Sequence, residues 1–238
     1  MNSIRFISVI LILISSITFG QQNPFSIGER FNYTLQFNFI KMGHGSLSIG
    51  ENEIIEGIPA HHIIFEAKTS RFADRIFSVR DKIDIWLDQS DFTTLKVIKQ
   101  ISEGDYKKNF FTTFDYDNLF AITNNDTIHI DGKVRDPYSL LFYLRTFPLE
   151  VGQILDFTTF DRKKTTQFQV IVDGKETIDT PAGTYDCKIV RPFREGKSLL
   201  KNKGDMIIWF SDDEQCIPIQ IQIKLKFGSM LLQLKSIN

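Results

Sequence analysis

From Ile219 to Phe227 apolar and polar residues alternate without a break: Ile219, Ile221, Ile223, Leu225 and Phe227 against Gln220, Gln222, Lys224 and Lys226. A period of two held over this length is the signature of a strand with one dry and one wet face, because successive side chains on a strand point to opposite sides. Gly228-Ser229 then reads as a tight turn, and Met230, Leu232 and Leu234 as the returning strand of a C-terminal antiparallel hairpin. The same alternation recurs upstream. Tyr33, Leu35, Phe37 and Phe39 share a face, and Gly43-His44-Gly45 bends the chain into Leu47 and Ile49. Glycine inside such a pattern marks a bulge or a sharp bend, as in a closing barrel. Residues 61–69, 77–88, 93–101 and 106–116 read as further long strands, and Asn124-Asn125-Asp126 as a turn between short ones. Asp173-Gly174 and Thr180-Pro181-Ala182-Gly183 read as two more turns.

One segment departs from this pattern. Asp136-Pro137 reads as a helix N-cap followed by proline in the first turn. Leu140, Leu141, Tyr143, Leu144 and Phe147 then fall at helical spacing until Pro148. The expectation is one helix of about three turns packed on, or plugging, an end of a β structure. A mainly β fold follows: a strongly curved antiparallel sheet or (half-)barrel of about a dozen strands with one helix.

Residues 1–20 are read as a secretory signal peptide. Arg5 precedes an apolar run from Ile7 to Ile14, and the small residues Ser15, Ser16, Thr18 and Gly20 follow. The apolar run is short for a membrane span, and no cysteine near Gly20 suggests a lipid anchor. The mature chain, 21–238, is expected to be a single β-rich barrel-like domain, exported to the periplasm or secreted. Lys and Arg (28) nearly balance Asp and Glu (29) and are interspersed, so no concentrated basic face for nucleic acid is expected. The 22 phenylalanines suit a pleated, half-buried surface. Cys187 shares a strand face with Tyr185 and Ile189, so a buried thiol is the plainer reading. A disulfide to Cys216, closing a loop of roughly 30 residues, is the alternative.

Several segments together resemble the bacterial family "domain of unknown function 3108". They are Phe25 to Tyr33 (FSIGERFNY), Phe77 to Asp81 (FSVRD), Asp136 to Leu140 (DPYSL) running into Tyr143-Leu144-Arg145, Thr180 to Tyr185 (TPAGTY), and Trp209 to Asp213 (WFSDD) with Pro218. The resemblance implies an exported or periplasmic protein with a β-rich barrel or half-barrel. It is similar in fold alone to the open barrels that carry lipoproteins across the periplasm. It supplies no catalytic residues.

Five residues stand out as ligand-binding candidates. Asp81 falls in phase with Phe77, Val79, Ile83, Ile85 and Leu87, and a carboxylate on an apolar face needs a partner, either an arginine such as Arg145 or backbone amides, when it is not an anchor or acid-base group in a cavity. Arg145, on the helix, either binds an anionic head group or clamps a carboxylate such as Asp81. Phe37, Phe39 and Trp86 belong to an aromatic set suited to lining an apolar cavity, with a dry packed core as the competing account. Lys197 to Lys203 is a basic connector, read first as a solvated hairpin tip and second as a contact for an anionic lipid surface or a partner. The adjacent pair His61-His62 faces opposite ways in a strand, and no Gly-x-Ser-x-Gly or phosphate-binding loop occurs. No cofactor and no metal site is expected.

The leading reading is a non-enzymatic envelope protein whose curved sheet holds an apolar or amphiphilic ligand, a lipid or a lipidated protein. An interaction or scaffold module of the envelope, favoured by an exposed apolar patch without a cavity, is the alternative. A hydrolase comes third and requires convergence among Asp81, Asp84, Asp136 and Arg145. An integral outer-membrane barrel fits poorly with a capped mid-chain helix and short strands.

Overall fold

A computed structural model describes residues 25–194 and 205–238. The segment read as a signal peptide, 1–20, and the basic connector lie outside the described residues. Among the described residues fifteen antiparallel strands form one sheet. The first half supplies β1 (Arg30–Phe37), β2 (Ile40–Ile49), β3 (Glu53–Ile55), β4 (Ile58–Thr69), β5 (Arg80–Asp88), β6 (Thr94–Glu103), β7 (Tyr106–Asp115), β8 (Phe120–Thr123) and β9 (Asp126–His129). After a short helix, α1 (Leu140–Tyr143), come β10 (Ile154–Asp161), β11 (Lys164–Thr180), β12 (Gly183–Phe193), β13 (Asp205–Ser211), β14 (Pro218–Leu225) and β15 (Gly228–Ile237). The last strand pairs with the first, Phe31 opposite Ile237 and Phe37 opposite Met230, so both halves join in one sheet ending at β9 and β10.

The sheet curls without closing. The chain after β9 laces the gap: the Arg135 amide donates to Thr158 O (3.0 Å), and the Phe160 amide donates to Arg135 O (2.9 Å). Phe114 of β7 meets Phe160 of β10 edge to face at 5.5 Å, which places strands distant along the sheet side by side. Such curvature needs bulges, which let a strand bend and twist. Register shifts leave an extra residue at Met42 of β2, beside Gly43, at Leu95 of β6, at Asp173 of β11 and at Ile219 of β14. Gly43 has a steric reason as well. A Cβ there would lie 2.1 Å from Lys68 O, so only glycine lets β2 and β4 approach this closely.

The expected turns require three corrections. The first hairpin turns at Asn38-Phe39, both in the left-handed region (φ 46° and 70°), and β2 runs straight through Gly43-His44-Gly45. Phe39 is therefore in a turn rather than on a strand face. The last hairpin turns at Lys226-Phe227. Asp173-Gly174 is a bulge inside the 17-residue β11, while the turn before that strand is Arg162-Lys163. The helix is also shorter than expected. Asp136 and Pro137 precede it, Ser139 is its N-cap, and a single α turn passes into a 3-10 turn at Leu144–Thr146.

That short helix nevertheless plugs the curl. Leu140, Phe142 and Leu144 are buried within the same apolar cluster as Phe31, Ile83, Leu87, Val170 and Leu234 from strands all round the sheet. Phe157 and Phe168 join this core. The small cavity bounded by Val97, Phe114, Asp136 and Phe160 measures about 10 Å³, room for roughly one water. Packed side chains thus occupy the concave side of the sheet, where the sequence reading placed a ligand.

Candidate functional site

The five sequence-predicted residues do not converge. Asp81 is half-buried on the inner face, in phase with Ile83 and Ile85 as expected, and its carboxylate accepts the Ser102 amide at 2.9 Å. Burial, followed by the neighbouring Asp81 carboxylate, pushes Glu103 above its usual range. Arg145 is not the partner of Asp81. Its guanidinium is buried, holds both carboxylate oxygens of Glu29 at 2.8 and 3.0 Å and donates to Gln215 O at 3.1 Å. It acts as a clamp joining the plug, the entry to β1 and the β13–β14 loop. Trp86 faces away from Ile85 and Leu87, on the outer side of β5. There it is stacked on His62 at 4.5 Å with the Lys96 ammonium 4.4 Å over its ring. Phe37 is half-buried at the end of β1, and Phe39 is 96% exposed at the hairpin tip. None of the three aromatics lines the interior.

The candidate catalytic set is equally dispersed. Asp84 is on the outer face and pairs with His62 Nε2 at 3.0 Å, while Asp136 is fully inside. Asp136 caps the turn before the helix by accepting the Tyr138 amide (2.9 Å), and its other oxygen contacts Lys99 Nζ at 2.6 Å. Asp161 meets the same ammonium at 2.6 Å. Burial alone would depress the Lys99 ammonium, but Asp136 and Asp161 outweigh it and hold the group above its usual range. Sequence reading missed Lys99, although it falls in phase with Val97 and Ile101, an available sign of a buried cation. Cys187 and Cys216 are free and buried, in line with the plainer of the two cysteine readings. Burial pushes both thiols up to about 12. Among the described residues no group of three or more His, Cys, Asp or Glu is placed to hold a metal ion.

Two surface features remain. The first is a concavity of about 410 Å³ on the outer face of β15-β1-β2-β4-β5, lined by polar residues including Arg30, Ser46, Glu66, Lys68 and Arg80. Its guanidinium groups are already engaged. Arg30 bonds Ser46 and Glu66, both at 2.8 Å, and Arg80 bonds Asp74.

The second feature follows from topology. Antiparallel pairing brings the β1–β2, β4–β5, β6–β7, β10–β11 and β14–β15 connections to one end of the curled sheet. This rim carries Phe39 and Ile40 on the first connection, Phe72, Ile76 (72% exposed) and Phe77 on the second, and Phe227 (67% exposed) on the last. The first and last tips are joined. The Asn38 amide donates to Ser229 O (3.0 Å), the Ser229 amide donates to Asn38 Oδ1 (2.8 Å), and the rings of Phe37 and Phe227 are 6.1 Å apart. The β4–β5 connection is also held. Hydrogen bonds from Arg80, then Thr69, pull Asp74 down to about 2. Lys41, Arg71, Arg75, Lys107, Lys108 and Lys226 stand exposed around these side chains. The opposite end exposes Glu51, Glu56, Asp117, Asp131, Glu150 and Glu214.

A long antiparallel sheet, curled but open and stopped by a short helical plug, defines a barrel-like β protein. The chain belongs to the family described as "Protein of unknown function (DUF3108)", which it matches over residues 32–235. Among solved structures it is similar to a β-barrel-like protein of domain of unknown function DUF1849 from Brucella abortus, at 11% identity. That match covers 90% of this chain and 98% of the other with a TM-score of 0.63, a likeness of fold alone. A "putative lipoprotein" from Parabacteroides distasonis aligns over 90% of this chain and 98% of its own at 15% identity, with a TM-score of 0.37. Comparison with curated proteins gives no match. Among the described residues no helix is long and apolar enough to cross a membrane.

Proposed function

We propose that this chain is an exported, non-enzymatic envelope protein that binds an amphiphilic ligand, a lipid or a lipidated protein, at the rim of its curled sheet. The observation carrying this reading is the placement of its apolar side chains. The concave side is filled by the helical plug and Lys99 with its aspartates, whereas the exposed rings of Phe39, Phe72, Phe77 and Phe227 gather at one end, and the exposed apolar side chains at the other end are mainly aliphatic, as at Ile27, Ile54 and Val151. An isolated exposed apolar residue needs no explanation, but several on neighbouring hairpin tips mark a contact surface. The dispersal of Asp81, Asp84, Asp136 and Arg145 weighs against the hydrolase reading.

Photo-crosslinking in the producing cell tests the proposal. A benzophenone side chain at position 39 is expected to capture envelope lipid or lipidated protein. The same group at position 54, which is also exposed but at the acidic end, is expected to capture neither. Equal capture at both positions overturns the rim as the site.

A further inference from the structure

We infer that the rim docks on the surface of an anionic phospholipid bilayer, its aromatic tips entering the headgroup region and its bases contacting lipid phosphates. This rests on the rim being the binding surface and names what it binds. Three observations carry it. First, Phe39 occupies a left-handed turn position (φ 70°) where glycine or asparagine is usual, and its ring is 96% exposed. A bulky residue held in a costly conformation with its side chain in water has no role in packing, and such outliers cluster at functional sites. Second, Phe39 and Phe227 project from a fused pair of hairpins, so little conformational entropy is lost when they are immobilised.

The third observation is charge. The chain carries a net charge of only −1, yet at the rim six exposed bases outnumber the exposed acids Asp105 and Asp126, the latter paired with Lys163. Lys41 and Lys226 flank the aromatic tips directly, with Arg71, Arg75, Lys107 and Lys108 on the adjacent connections. None of these six forms an ion pair among the described residues. A soluble protein partner would have to present acidic groups and an apolar socket at matching positions. An anionic bilayer presents both everywhere on its surface. The acidic far end is repelled by the same surface, so the polarity also orients the approach.

Vesicle flotation of the mature protein tests this, with phosphatidylcholine vesicles compared with vesicles containing phosphatidylglycerol. Binding is expected only to the anionic vesicles and is expected to weaken as salt rises. The variant Lys41→Gln/Lys226→Gln should lose about fivefold in affinity per charge. Phe39→Ser/Phe227→Ser should lose roughly tenfold or more per ring, and Ile54→Ser at the far end should bind as wild type. All substituted positions are exposed, and unchanged melting temperatures would confirm intact folds.

Absence of binding to anionic vesicles, or binding indifferent to the rim variants, overturns the inference. If vesicles fail while crosslinking at position 39 persists, the rim reading stands with a lipidated protein as ligand. If both fail, the rim reading falls too.

Discussion

At the scale of single residues the molecule depends on a few inward-facing charges with specific partners. Lys99 is the most exposed to test, because its ammonium compensates the buried Asp136 and the half-exposed Asp161. Removing one member of a buried ion cluster leaves the others uncompensated in a poorly polarisable interior. Lys99→Met is expected to lose about 3–5 kcal/mol in urea unfolding. The folded pKa of Lys99 is raised, so its contribution is complete below the usual value of 10.5 and is lost only as pH climbs through the folded value. The loss in Lys99→Met should therefore be full at neutral pH and shrink only in strong alkali. Asp74 has the opposite sign. Its pKa falls from 3.8 to about 2, so its contribution is present above pH 3.8 and disappears as pH drops through about 2. Carboxyl resonances followed by NMR should place that midpoint near 2, with the amides of the Phe72–Phe77 segment broadening as it is crossed. A midpoint near 4 would refute the Arg80 contact.

At the scale of elements, close strand approach and welded hairpins decide the shape. Gly43 lies where β2 passes β4, and any Cβ would meet the Lys68 carbonyl. Gly43→Ala is expected to destabilise by about 1–3 kcal/mol or more, since the obstacle is backbone and cannot rotate away. Hydrogen exchange should show faster opening along the β2–β4 ladder in that variant, with β11–β12 unaffected. The 17-residue β11 shows how a local signal is overruled. Asp173-Gly174 is good turn chemistry, but β12 pairs with the strand on both sides of it, and the extra residue is absorbed as a bulge. The short helix was overruled in a similar way. Its apolar residues satisfy the core after one turn, and the 3-10 turn that follows places Arg145 against Glu29.

At the scale of the whole molecule, Arg145 links parts of the chain that are far apart in sequence. Its buried guanidinium ties the plug to Glu29 and to the loop carrying Gln215. Arg145→Met keeps most of the volume but strands the Glu29 carboxylate, with an expected loss of about 3–5 kcal/mol. The melting temperature should fall together with the near-ultraviolet aromatic signal, because the guanidinium also packs over the rings of Phe25 and Phe31. Retained stability would mean that the plug docks without the clamp. The gathering of exposed bases at the rim belongs to this scale as well, since it arises only when hairpins distant in sequence reach a common end.

The sequence by itself determined the fold class and most strand positions. Alternation in 61–69, 106–116 and 217–227 reports directly which residues must share a face, and a period of two has few physical alternatives. It also singled out Phe37 and Phe39 as unusual. Tertiary structure decided where those rings go. Asn38-Phe39 lacks the glycine that normally announces a hairpin turn, so the alternation ran two residues too far and placed Phe39 on a strand face. The partners of Arg145, Lys99 and Trp86 were likewise undetermined, because they come from chain segments whose adjacency depends on register and curl. Periodicity tells a residue which way to face. Only the folded arrangement of neighbours tells it whether that face meets core, carboxylate or solvent.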